Sequence, residues 1–174
     1  MTESSSRHWV HSYGSIPAEI NPDREGSSLV HLMDKALAAF SDQPAVHSFG
    51  QVLTYAELDR QASALCAYLQ HVVGVVKGDR VAVMLPNIAA FPIAMLGLWR
   101  AGAVQVNVNP LYTPRELTHQ LNDAGCQVIV IFSGSTPVLA EVIGQTAVTT
   151  VVTVDLGDGL VSALPSPAVD PRLA

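Results

Sequence analysis

The first sustained pattern in the chain is an apolar recurrence at three- and four-residue spacing. Leu29, Leu32, Met33, Ala36, Leu37 and Phe40 form one stripe, which predicts a helix opening after Ser27/Ser28. "SDQP" ends it. The segment "AVHSFGQVLTY" then reads as a short hairpin, with strands over 45–49 and 52–54 and a turn at Gly50-Gln51. Thr54-Tyr55-Ala56-Glu57 fits a capping box, in which the Thr hydroxyl and the Glu carboxylate satisfy free N–H groups of the first helical turn. The helix it opens puts Tyr55, Leu58, Ala62, Leu65, Cys66 and Leu69 on one face. Gly74 and Gly78, in "VVGVVKGDR", supply the cap and turn that close it.

From residue 80 the pattern alternates between runs and stripes. A strand over 80–85 is apolar at every position from Val81, as expected when both faces of a parallel sheet are covered. An apolar helix over 88–101 and a strand over 103–108 follow. Thr113, Pro114 and Glu116 then specify a second capped helix start, with Leu117, Leu121 and Ala124 on the buried side. A strand over 127–132, a helix from about 136 to 144 and a strand over 148–154 complete the series. The expected fold is α/β: a layered domain with a mostly parallel β-sheet flanked by helices, plus an N-terminal arm and a short β-hairpin. Its divisions are an arm at 1–26, an α/β subdomain at 27–154, and a Gly-, Pro- and Ala-rich linker or truncated segment at 155–174.

Composition narrows the function classes. Apolar residues make up 49% of the 174 and charged residues 14%, which excludes disorder for most of the chain. The nine basic residues are scattered against fifteen acidic ones, so no stripe exists to neutralise phosphates and nucleic-acid binding is not expected. Cys66 and Cys126 read as two reduced thiols of a cytosolic protein. The N-terminus has no apolar signal core. The longest apolar run, 88–99, is too short for a transmembrane segment and contains Pro92.

No self-contained catalytic constellation is present. Neither G-x-G-x-x-G nor G-x-x-x-x-G-K-[ST] occurs. "FSGSTP" (132–137) follows a strand as phosphate loops do, but it lacks the lysine and second glycine. It reads better as a strand-to-helix turn capped by Ser135 or Thr136. His8 and His11 read as a solvated pair, and His71 as a helix C-terminal residue. Glu57 and Glu116 are committed to caps and Asp79 to a turn. No metal site is expected. Asn109, Tyr112 and Arg115 form the candidate substrate-binding cluster, because parallel sheets bind ligands beyond the carboxyl ends of their strands. The competing reading makes Asn109-Pro110 the turn itself and Arg115 a solvated first-turn residue, and the residues favour it.

Five segments carry a resemblance: "IPAEINPD" (16–23), "LTYAELDRQASALCAYL" (53–69), "VKGDRVAVMLPN" (76–87), "LWRAGAVQVNVNPLYTPRELTHQLNDAGC" (98–126) and "VIVIF" (128–132). Between Trp9 and Val154 the chain resembles the N-terminal portion of bacterial long-chain fatty acyl-CoA synthetases, of the adenylate-forming, AMP-binding superfamily. The resemblance implies a two-step ligase reaction. Fatty acid and ATP give an acyl-adenylate and pyrophosphate, then CoA takes the acyl group, with Mg²⁺ accompanying ATP. The family's phosphate loop, adenine shelf, ribose-binding Asp and mobile-domain lysine all fall beyond this chain. The expectation is therefore an N-terminal piece of a longer cytoplasmic enzyme, inactive alone, with peripheral membrane association admitted and an apolar flank exposed. A homodimer through the N-terminal region is also implied, and the alternative is a non-catalytic binding or dimerisation module of the same descent.

Overall fold

A computed structural model describes residues 7–19, 21, 28–160, 162 and 164–173. The remaining residues of the expected arm, and Ser27, lie outside the described residues. Where an extended arm was expected, residues His8–Ser12 form a 3-10 turn, and the Arg7 guanidinium donates to Glu19 at 2.7 Å. Ser28 caps helix α1 (Leu29–Ala39), its Oγ accepting from the His31 N–H at 3.1 Å. The stripe foreseen for α1 is mostly not buried. Leu37 is enclosed, while Leu29, Leu32 and Phe40 are exposed. A regular apolar period creates a face, but only a facing element can bury it.

The hairpin consists of β1 (Pro44–Ser48) and β2 (Gln51–Thr54), antiparallel, with Ser48 opposite Gln51. The turn is therefore Phe49-Gly50, one residue earlier than expected. Both turn residues have positive φ, 49° and 73°, as a two-residue hairpin that follows strand twist requires. For Phe49 this is an unusual conformation. Helix α2 (Tyr55–Tyr68) starts with the expected capping box, with Thr54 N–H to Glu57 at 2.8 Å and Glu57 N–H to Thr54 Oγ1 at 3.3 Å. It widens into a π-turn at Leu69–Val73 and stops at Gly74, φ 84°.

The main sheet is parallel and four-stranded, in the order β4-β3-β5-β6: β3 (Arg80–Met84), β4 (Val104–Asn107), β5 (Val128–Phe132) and β6 (Thr150–Val154). Helices α3 (Ala90–Ala101), α4 (Pro114–Ala124) and α5 (Thr136–Val142) connect successive strands. The helix expected to reach about 144 ends at Val142 and tightens into a 3-10 turn, Ile143–Gln145. Alternation along the strands sorts two cores. Val81, Val83 and Val130 face the side that also holds Leu69, Ala94 and Leu98. Ala82, Met84, Ile129 and Ile131 face Leu117, Leu121 and Leu139 on the other side. Each fully enclosed Leu or Ile stabilises by about 1.5–3 kcal/mol relative to exposure, which explains the continuous apolar runs of β3 and β5.

Helices α2 and α3 approach closely at Gly97, where a Cβ would lie 3.1 Å from the Ala62 carbonyl oxygen. A third cluster of Leu37, Leu53, Leu58, Ala62, Ile93 and Leu96 joins the hairpin to α1–α3. Arg100 ties the same helices together. Its guanidinium donates to Asp34 Oδ1 at 2.7 Å, Asp59 Oδ1 at 2.6 Å and Ser63 Oγ at 2.8 Å. Burial opposes its charge, but the bonds to Asp34 and Asp59 outweigh that and hold its pKa above the ordinary value. Beyond β6 the chain turns through residues 155–160 and returns to the start of α5. Gln61 Nε2 donates to the Gly159 carbonyl at 3.0 Å, and the Asp170 N–H donates to Thr136 Oγ1, also at 3.0 Å.

Candidate functional site

The connection from β3 leads to β4 on one side, and that from β5 leads to β6 on the other. Strand order thus reverses between β3 and β5, and the crevice at their carboxyl ends is the expected ligand position in an open parallel sheet. Three segments reach this edge: 85–88 after β3, 108–113 after β4, and 133–136 after β5.

Of the predicted cluster, Asn109 and Tyr112 lie in the 108–113 segment and Arg115 in the first turn of α4. Asn109 makes the turn: its Oδ1 accepts from the Leu111 N–H at 3.0 Å, and its carbonyl accepts from the Tyr112 N–H at 3.1 Å. Tyr112 is half-buried against the core beneath α4 and α5. Arg115 is exposed, makes no ion pair among the described residues, and borders a hollow of about 420 Å³ with Thr118, His119 and Val142. Turn, core and outer surface each take one of the three.

The α4 start is built as the residues predict. Thr113 N–H donates to Glu116 Oε2 at 2.9 Å, and Glu116 N–H donates to Thr113 Oγ1 at 3.4 Å. The side-chain and backbone bonds from Thr113 draw the Glu116 pKa below its ordinary value, and those from Thr54 do the same for Glu57. The segment after β5 differs from expectation. Ser133–Ser135 forms a 3-10 turn, and neither Ser135 nor Thr136 caps α5 with its side chain. Thr136 is fully buried; its hydroxyl donates to the Ser133 carbonyl at 2.5 Å and accepts from Asp170 N–H. Ser133 is equally enclosed, and its Oγ has no hydrogen-bond partner among the described residues.

A small polar cluster escaped the sequence reading. Gln105 Nε2 donates to Asn107 Oδ1 at 2.6 Å, and Gln120 Nε2 donates to the Asn107 carbonyl at 2.8 Å. The available signal was the pair of amides at alternate positions of an edge strand, which places both on one face. Among the described residues, no three His, Cys, Asp or Glu side chains converge to hold a metal ion. The thiol of Cys126 is buried, and burial raises its pKa. No helix among the described residues is long and apolar enough to cross a membrane.

Comparison with known proteins is consistent over nearly the whole chain. The long-chain-fatty-acid–CoA ligase of Escherichia coli O6:H1 is 47% identical over 156 residues, which are 89% of this chain and 28% of that protein. The Bacillus subtilis ligase of the same description is 39% identical over 127 residues, 72% of this chain and 22% of its own length. The chain thus matches 28% and 22% of the lengths of these two relatives. Among solved structures, a long-chain-fatty-acid-CoA ligase from Archaeoglobus fulgidus superposes with a TM-score of 0.68 at 29% identity, covering 73% of this chain and 27% of that one. A Mycobacterium tuberculosis fatty acyl CoA synthetase gives 0.65 at 27% identity, covering 79% and 29%. Residues 33–171 match the family described as AMP-binding enzyme, and the chain belongs to that family.

Proposed function

We propose that this chain is the N-terminal part of a long-chain fatty acid–CoA ligase, which joins a fatty acid to CoA through an acyl-adenylate at the expense of ATP. The supporting observation is the 47% identity to the Escherichia coli ligase over 156 residues. That stretch includes the joint "NPLYTPREL", whose capping residues are all engaged as the fold requires. The chain contributes the parallel-sheet half-layer and its capped joints. The described residues contain no carboxylate cluster for Mg²⁺, and the loop after β5 turns its Thr136 hydroxyl inward. These residues are not fitted to hold a metal–triphosphate, so no step of adenylation is assigned to them. CoA likewise receives no binding residue here.

Two measurements test the reading. The purified 174-residue chain is expected to show no ATP–pyrophosphate exchange with palmitate; turnover would overturn its inactivity alone. Reading the DNA past codon 174 is expected to show an open frame with a Ser/Thr/Gly-rich loop carrying a lysine, and the encoded protein is expected to form palmitoyl-CoA. A frame without that loop, or a protein without that activity, defeats the ligase reading.

An accessory role as a dimerisation surface is supported by the segment 7–19, which exposes Trp9 and Ile16. Sedimentation of the chain with and without residues 1–19 tests it, and a monomer in both cases removes it. The cytoplasm is the compartment that matches this reading. Peripheral membrane contact would use the same exposed apolar residues, and vesicle flotation decides whether it occurs.

A further inference from the structure

Between α2, α3 and the β5–β6 side of the sheet lies a cavity of about 300 Å³, at the lower end of the roughly 300–1,000 Å³ found for small-molecule sites. Its lining includes the small side chains Ala64, Ala90 and Ala94 together with Val130, Val152 and Val154. Its mouth is polar and carries one sign of charge. Gln61 is clamped to the Gly159 carbonyl, which fixes the turn at the rim. That turn is pressed onto α3: Gly159 has φ 85°, and a Cβ there would stand 2.5 Å from Ile93 Cδ1. Asp158, in the same turn, accepts the Asp155 N–H at 2.8 Å through Oδ2. Its carboxylate is exposed and forms no ion pair among the described residues. Asp155 is a second acid three positions earlier in the chain, and among the described residues neither Lys nor Arg lines the cavity.

We propose that this cavity binds a small amphipathic ammonium, its hydrocarbon or aryl tail between α2 and α3 and its charged nitrogen at Asp158. Burying the tail gains about 25 cal/mol per Å² of apolar surface. An uncompensated carboxylate at the rim attracts a cation and repels an anion of the same shape. A fatty acid is therefore the disfavoured ligand here, which makes the site independent of the ligase reading and separate from its substrate.

The test titrates the 174-residue chain with octylammonium, octanol and octanoate, following the methyl resonances of Ile93, Ala64 and Ala94. Octylammonium is expected to bind saturably, to move those methyls, and to bind roughly tenfold more tightly than octanoate, with octanol between them. Asp158→Asn is expected to bring octylammonium down to the octanol affinity. Ala94→Phe fills the cavity and is expected to abolish binding of all three. Ala64→Leu serves the same purpose if far-UV circular dichroism shows that Ala94→Phe does not fold. Equal binding of ammonium and carboxylate, a preference that survives Asp158→Asn, shifts confined to other methyls, or absence of saturation would each overturn the proposal.

Discussion

Two strand-to-helix joints at the same sheet edge contain the same dipeptide and fold differently. At Thr113-Pro114 the threonine stands outside the helix at φ −69°, ψ 161°, and caps it. At Thr136-Pro137 the threonine is already helical, at φ −62°, ψ −31°, although a residue before proline ordinarily avoids that region. The third position beyond each threonine accounts for part of the difference. Glu116 can return a hydrogen bond to the Thr113 N–H, whereas Leu139 cannot and is instead fully buried. The rest comes from a distant segment, since Asp170 supplies the N–H that the Thr136 hydroxyl accepts. A local motif thus specifies one joint, and a tertiary contact completes the other.

The largest expected effect erases the contrast. Leu117→Ala and Leu139→Ala each remove a fully buried anchor, so each should cost about 2–5 kcal/mol. Urea denaturation checks this; a change below 1 kcal/mol at either site, on the scale set by cavity formation, would show that the joint is not held by its core residue.

Replacing the threonines sharpens the contrast. Thr136→Val leaves the Ser133 carbonyl and the Asp170 N–H without a partner, at a cost of about 1–3 kcal/mol. Thr113→Ala should cost about 1 kcal/mol, the usual loss of a cap. Only the first should depend on the tail. Deleting residues 165–174 should shrink the effect of Thr136→Val and leave that of Thr113→Ala unchanged. Equal coupling of both to the deletion would dissolve the distinction.

Acid should separate the joints by pH, with the smallest effect. Hydrogen bonds from Arg172 hold the Asp170 carboxyl at about 2, against an ordinary 3.8. A lowered carboxyl pKa stabilises above the ordinary value and loses that contribution as pH falls through the folded value. The tail contact should therefore weaken between about pH 4 and 2. The Glu116 contribution should fade on acidification below its ordinary 4.5. Carboxyl carbon NMR titrations check both, and an Asp170 midpoint near 3.8 would contradict the Arg172 contact.

Most of the fold was legible because its signals are local. Capping boxes, proline at a first helical turn, and apolar runs in doubly covered strands each depend on neighbours within a few residues. The hairpin turn falls one residue earlier than the Gly50-Gln51 pattern predicts, because a two-residue turn also needs positive φ at Phe49, a conformation its residue type does not signal. The α1 stripe was legible as a helix but not as an exposed one. Of the candidate cluster, Asn109 could be read as a turn former from Asn-Pro alone. Arg115 could likewise be read as a solvated first-turn residue, whereas the partial burial of Tyr112 depends on where α4 lies against the sheet.

By itself the sequence determined the α/β alternation, the three helix starts capped by Ser28, Thr54 and Thr113, and the membership carried by its motif segments. Each of these is specified by side chains that meet within one turn or one strand, or by an order of residues. The tertiary structure alone decided the reversal of strand order between β3 and β5, the inward turn of Thr136, and the cavity rimmed by Asp158. Those join residues as much as 98 positions apart, as Gln61 and Gly159 are. Contacts at that separation depend on packing and chain closure, which local periodicity does not encode.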